Sequence, residues 1–170
     1  MRSAEGQRRR ACGEKGQPAL DPNLSLKIGM LNKVCARRKL TRREELDLDV
    51  EIQFMEGIVR RDPRFVEALQ VLGTDYARRG DFSSSLRMGE QLARLRPNDP
   101  VVYYNLACNY SLTRQLRRAA DTLSQAIDRG YRNFRLLVKD PDLANVRKHA
   151  VFKRVQEKMR VAKMAVHHAS

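Results

Sequence analysis

Leu69-Gln-Val-Leu72-Gly73-Thr-Asp-Tyr76 is answered 34 residues later by Tyr103-Tyr-Asn-Leu106-Ala107-Cys-Asn-Tyr110. A bulky residue, a leucine, a small residue and a tyrosine recur at the same offsets. The same step carries Ser85 to Ala119, Leu92 to Ala126 and Pro63 to Pro97, with Tyr131 where a third proline would fall. An internal period of this length marks stacked helical hairpins, because one hairpin cannot bury its apolar face alone.

Gly80-Asp81 reads as the turn of the first hairpin, since glycine tolerates the left-handed conformation that ends a helix. Its helices are expected over about 64–79 and 82–95, stopping at Pro97-Asn98-Asp99-Pro100. A second pair is expected over 101–113 and 116–128, stopping at Arg129-Gly130. Upstream, Thr41-Arg-Arg-Glu44 has the form of a capping box and opens a helix with Leu46, Val50, Phe54 and Ile58 on one stripe. Downstream, Tyr131 to Val138 allows one or two helical turns before Asp140-Pro141, and Phe152, Val155, Met159 and Ala162 mark a last amphipathic helix. No stretch alternates with period two for long enough to make a strand. The fold expected is all-α, a short right-handed solenoid of helical hairpins with capping helices.

The formal net charge is +14, and its placement matters more than its size. Residues 1–45 hold twelve Lys/Arg against five Asp/Glu, residues 46–133 thirteen against twelve, and residues 134–170 nine against three. The basicity sits at the two ends and the repeat core is close to neutral. Basic ends dock on phosphates or acidic surfaces, or they simply solvate the chain. Residues 1–23 are nearly devoid of apolar side chains and read as an unstructured basic tail. Residues 24–45 read as a short amphipathic basic helix (Leu24, Ile28, Leu31, Val34) and a linker, and 163–170 as a frayed tail.

Cys12, Cys35 and Cys108 are odd in number and widely spaced, which indicates neither a disulfide framework nor a zinc site. His149, His167 and His168 show no ligand spacing. No metal or cofactor is expected. Asp140 and Asp142 flank a proline and read as a solvated turn rather than as paired catalytic carboxylates. Phosphate-binding glycine loops, zincin motifs and nucleophile elbows are absent, so an enzyme acting on a small-molecule substrate is not expected. No apolar run has the length of a signal peptide or membrane span, and cytoplasmic residence is the default expectation.

These residues resemble the tetratricopeptide repeat family, whose units are helix–turn–helix pairs of this period. Residues 66–99 match with Leu69, Leu72, Gly73, Tyr76, Gly80, Phe82 and Pro97, and residues 100–133 with Tyr103, Leu106, Ala107, Tyr110, Ala119 and Ala126. Tyr131–Phe152, with Lys139-Asp140-Pro141-Asp142-Leu143, resembles the segment that closes bacterial arrays of this family. The resemblance covers about residues 46–160 and implies a helical domain over 46–162, with 46–65 as a half-unit and 134–162 as a closing cap. Ser85 and Gly89 depart from the small-apolar and aromatic residues usual in the second helix, and weaker packing is expected there, since a glycine inside a helix costs about 1 kcal/mol relative to alanine.

In that architecture the first helices of successive pairs line a concave groove. Leu69, Leu72, Gly73 and Tyr76 face inward, so Glu67, Gln70, Thr74 and Arg78 should face the groove in the first unit. In the second the lining is Val101, Tyr104, Asn105, Cys108 and Ser111, followed by Arg135 and Lys139. An aromatic, amides and cations together suit an extended peptide with an acidic or carboxylate end. One subfamily grips C-terminal carboxylates with two Asn and three basic residues. Here Asn105, Arg135 and Lys139 fall on three of those positions, while Gln70 and Thr74 replace the other two, a partial match. The function expected is a non-catalytic adaptor that holds a peptide or protein partner in this groove, with Tyr104 and Asn105 at its centre. The alternative is a nucleic-acid- or ribosome-associated protein, with Arg8, Arg9, Arg10, Arg37, Arg38, Lys39, Arg42 and Arg43 as candidate phosphate contacts.

Overall fold

The computed structural model describes residues 39–168, and the expected tail over 1–23, most of the basic segment over 24–45, and Arg8, Arg9, Arg10, Arg37 and Arg38 lie outside the described residues. The described chain is all-α. Helix α1 (Arg42–Arg61) is followed by α2 (Val66–Arg79), α3 (Phe82–Leu95), α4 (Pro100–Leu112) and α5 (Leu116–Asp128). The short α6 (Phe134–Lys139), a 3-10 turn (Pro141–Leu143), α7 (Ala144–Arg147) and α8 (Phe152–His168) complete it. Consecutive helices pack as hairpins, α2 on α3 and α5 on α4, with α3 against α4, α1 against α2 and α8 against α5. The result is a solenoid-like stack.

Local chemistry sets the helix ends. The Thr41 N–H donates to Glu44 Oε2 at 2.9 Å and the Glu44 N–H to Thr41 Oγ1 at 3.3 Å, so both partners of the box that opens α1 are in place. Gly80 ends α2 at φ 86°, where the Asp81 N–H reaches Tyr76 O at 2.8 Å, and Asp81 then caps α3 by accepting from the Ser84 N–H at 2.9 Å. The Ser84 hydroxyl, which donates to the other carboxylate oxygen, and then the Ser84 N–H favour the ionised Asp81 carboxylate and lower its pKa. Asp99 and Pro100 do the equivalent for α4, a cap followed by a residue with no N–H to satisfy.

Leu72 is buried against Leu48 and Ile52 of α1, Leu106 is buried in the main core, and a Cβ added at Gly73 would stand 3.2 Å from the Met88 Cβ. The small residue there answers the close crossing of α2 and α3, as its place in the repeat requires. A different helix pair supplies a correction. A Cβ on Gly89 would meet Asn109 Nδ2 at 2.9 Å and Leu106 Cδ1 at 3.3 Å, so this glycine permits a close approach between α3 and α4. Ser85 is buried beside it, its hydroxyl 3.1 Å from Asn109 Oδ1, and the Asn109 amide donates to Ser85 O at 3.1 Å. Ser85 and Gly89 join the two hairpins where weakened packing was expected.

Helix α1 also differs from expectation. Leu48 and Ile52 are the residues it buries, with Met55 and Val59 packed alongside, whereas Leu46, Val50 and Phe54 occupy the opposite face and are exposed. Phe152, Val155 and Met159 of α8 close the main core at the other end.

Candidate functional site

The groove residues expected from the repeat register fall into three groups. Gln70, Thr74 and Arg78 stand at half-exposed positions of α2, and the Thr74 hydroxyl donates to Gln70 O at 2.8 Å. Asn105 is half-exposed on α4, as are Glu67 on α2 and Val101 on α4. These positions are accessible to a ligand.

The second group is not accessible. Tyr104 is 2 % exposed, Cys108 4 % and Ser111 0 %. Residues 131–143 fold over that side of α4. Tyr131 stacks on Tyr104 with ring centroids 4.4 Å apart and planes within 7°. The Tyr104 hydroxyl donates to Asp140 Oδ2 at 2.5 Å, and the Cys108 thiol lies 3.7 Å from the same oxygen. Asp140 Oδ1 accepts from the Asp142 N–H at 3.0 Å, the Arg147 guanidinium bonds Asp140 O, and Asn145 Nδ2 reaches Ser111 O at 3.2 Å. Burial pushes the phenols of Tyr104 and Tyr131 far above their ordinary range.

Tyr104 and Cys108 are therefore core residues, and the placing of Tyr104 at the centre of an open groove is corrected. The reading of Asp140 and Asp142 as a solvated turn is corrected too, since both are buried. An aspartate before Pro-Asp is a helix-capping pattern, and that was the available signal. Nothing in the local sequence pairs it with a tyrosine 36 residues earlier.

The third group is cationic. Arg135 and Lys139 are exposed on a cleft of about 530 Å³ with Arg132, Asn133, Phe134, Val138 and Lys163. A second cleft of about 410 Å³ shares Val138 and Lys163 with it and adds Arg147, Phe152, Gln156, Met159 and Arg160. No acidic side chain among the described residues lines either cleft. The Arg132 guanidinium bonds Ile127 O at 2.7 Å, and Lys163 stands 5.7 Å from the Phe134 ring centroid. Lys39, Arg42 and Arg43 are exposed at the opposite end of the stack.

One buried charge went unanticipated. Asp75, 2 % exposed on α2, receives Arg78 Nη1 at 3.2 Å, while its Oδ2 and the Arg78 Nε have no hydrogen-bond partner among the described residues. Burial, helped by Glu51 and opposed by Arg78, raises its pKa to about 6. The repeat register could have found it, because Asp75 occupies the place that Asn109 takes one unit later.

No group of three or more His, Cys, Asp or Glu among the described residues has the arrangement of a metal site. No helix of the described residues is long and apolar enough to cross a membrane.

No protein-family model matches the chain. A chloroplastic protein of Arabidopsis thaliana is 27% identical over 115 residues, which are 66% of this chain and 33% of that protein. The PEX5-related protein of Homo sapiens is 32% identical over 100 residues, 59% of this chain and 16% of that protein. The chain thus spans about a third and about a sixth of the lengths of these relatives. Fold and surface together define an all-helical, solenoid-like scaffold with surfaces suited to protein contacts.

Proposed function

We propose that this chain is a tetratricopeptide-like, non-catalytic interaction module that holds an extended segment of a partner protein along the groove side of α2 and α4. The observation that supports this most is the row of half-exposed polar side chains, Gln70, Thr74, Arg78 and Asn105, carried on the first helices of two successive hairpins. Amides and hydroxyls at repeat spacing bond the backbone of an extended peptide, while the leucines behind them hold the helices in register. Arg78 and the cations at Arg135 and Lys139 favour a partner with acidic character. The similarity to segments of two much longer proteins agrees with a module that also occurs inside larger chains.

A displayed peptide library selected on the full chain tests the reading. Enriched peptides should bind the parent and lose at least about tenfold in affinity on a Thr74→Arg, Asn105→Arg variant, as residues central to an interface do. Peptides that bind the variant as tightly as the parent would remove the groove from the function.

The alternative reading, phosphate contacts by the basic ends, draws on the two clefts lined by cations and no acid among the described residues. It requires affinity for an oligonucleotide that falls linearly with salt on logarithmic axes and is lost on Lys139→Glu with Lys163→Glu.

A further inference from the structure

The contact of α1 with α2 repeats, one unit earlier, the contact of α3 with α4. Ile52 and Leu86 stand 34 residues apart and are both buried, the first in a cluster with Leu72 and the second in one with Leu106. In the later contact neutral groups close the joint. The Ser85 hydroxyl stands 3.1 Å from Asn109 Oδ1, and Asn109 Nδ2 donates to Ser85 O at 3.1 Å. The same step of 34 residues puts Glu51 in the place of Ser85 and Asp75 in the place of Asn109. A joint made in one unit of a hydroxyl and an amide is made in the other of two carboxyl groups.

Asp75 is poorly placed for a charge. It is buried, Arg78 bonds one of its oxygens, and the other has no hydrogen-bond partner among the described residues. The charges that act on it are Glu51 from α1, which opposes ionisation, and Arg78 from its own helix, which favours it. Among the described residues no charge of α3, the other helix packed on α2, is one of them, and Arg87 there turns to Ser84. A buried carboxylate with one bare oxygen is costly, and its protonated form is far less so. The attachment of α1 is also slight. Its apolar contact is the small cluster around Leu48, Ile52 and Leu72, apart from the main core that runs from Leu86 to Met159. At the surface Arg79 pairs with Glu45 and Asp49, and the Tyr76 hydroxyl donates to Glu56. Exposed ion pairs contribute little.

We propose that α1 is a proton-controlled end piece of the stack. With Asp75 protonated it stays docked on α2, and with Asp75 ionised it opens in excursions that leave the later helices folded. Opening hydrates the Asp75 carboxylate and takes it away from Glu51, which is where the driving force arises. It also uncovers Leu72, so the proton sets how often the stack ends in α1 and how often in the bare face of α2. The direction follows from linkage. A carboxyl at about 6 beneath the docked helix and at the ordinary 3.8 beside an open one makes opening rarest below about pH 4. Opening grows more frequent as pH rises toward 6 and levels off above it, about tenfold commoner at pH 7 than at pH 5.

Hydrogen exchange of the full chain at pH 5 and pH 7, read by mass spectrometry and scaled for the intrinsic pH dependence of amide exchange, tests this. Amides of α1 should be less protected than those of α4 and α5 at both values. Their protection should fall about tenfold from pH 5 to pH 7. Asp75→Asn supplies the residue that Asn109 provides one unit later, so the variant should fold as the parent does and protect α1 equally at the two values. Glu51→Gln, at an exposed position of α1, should keep the dependence in a smaller form. Equal protection of α1 and α5 in the parent would overturn the proposal, because α1 would then open only with the whole chain. So would a tenfold fall that survives Asp75→Asn, or a dependence undiminished in Glu51→Gln. Protection of α1 that rises with pH would overturn it as well, and would give control to the pairs of Arg79 with Glu45 and Asp49. No ligand enters these measurements, so they stand apart from the peptide selection on α2 and α4.

Discussion

The hydroxyl of Tyr104 donates to Oδ2 of Asp140 at 2.5 Å, tying the first helix of the second hairpin to the residue that ends α6. The bond carries more than its own energy. It lets a carboxylate sit 1 % exposed at the base of the 3-10 turn, where its other oxygen holds the Asp142 N–H and orders that turn. With Tyr131 stacked across the ring, the closing segment is fastened to the face of α4 that carries Tyr104 and Cys108.

Tyr104→Phe should therefore cost about 1.5–3 kcal/mol, the range for a hydrogen bond to a charged group, with the partner left buried. Urea unfolding measures it, and Tyr131→Leu provides the comparison, losing the stacking of about 0.5–1.5 kcal/mol beyond its burial together with the hydroxyl that bonds Tyr104. In an alkaline absorbance titration neither phenol should ionise before the protein unfolds, since burial disfavours both phenolates. Ionisation of Tyr104 in the folded state would contradict its placement.

Asp75 gives the chain a pH-dependent term. Its carboxyl is raised from the ordinary 3.8 to about 6, so the folded state binds the proton more tightly than the unfolded state does. That contribution is fully present below about pH 4, declines as pH rises toward 6, and is gone above it. Asp75→Asn removes the buried charge. It should gain on the order of 1–3 kcal/mol over the parent at neutral pH and little at pH 4, less whatever Arg78 loses with its partner. A gain that grows as pH falls would reverse the sign and exclude desolvation as the dominant cause.

The elements legible in the sequence were those with local causes. Thr41 and Glu44 close a capping box within four residues, and Gly80, Asp81, Asp99 and Pro100 end or start helices through their own backbone and side-chain chemistry. The 34-residue step placed Leu72 and Leu106 in the core correctly. Burial that depends on what arrives from far along the chain was not legible. Register assigns Tyr104 to the groove face of α4, and only the return of residues 131–143 turns that face inward. Leu46, Val50 and Phe54 form as good a stripe as Leu48, Ile52, Met55 and Val59, and an apolar pattern alone does not say which face of α1 meets α2.

At Gly89 helix propensity and packing oppose each other. Helix propensity alone favours Gly89→Ala by about 1 kcal/mol. The added Cβ would press on Asn109 Nδ2 and Leu106 Cδ1, and the Asn109 amide has little freedom to move, because its bonds to Ser85 fix it at both ends. Overpacking of about 1–3 kcal/mol plus weakening of those bonds should outweigh the propensity gain. The variant should unfold at lower urea concentration than the parent. Pairing it with Asn109→Ala, which frees the space, should recover part of the loss.

The two hairpin turns differ at one equivalent position, and the difference predicts a stabilised variant. Gly80 closes α2 at φ 86°, and 34 residues later Arg114 takes the same left-handed conformation at φ 62° after α4. For a side chain with a Cβ that region costs roughly 1–2 kcal/mol, from which glycine is exempt. The Arg114 side chain is exposed and holds no hydrogen bond or ion pair among the described residues, so it offsets none of this. Arg114→Gly should raise the stability by about 0.5–1 kcal/mol, the gain being reduced by the greater freedom of glycine in the unfolded chain. Gly80→Arg should lose a similar amount, and the exchange of both residues should leave stability close to the parent. Equilibrium urea curves for the three variants decide it, and a destabilised Arg114→Gly would show that the arginine contributes through the unfolded state instead.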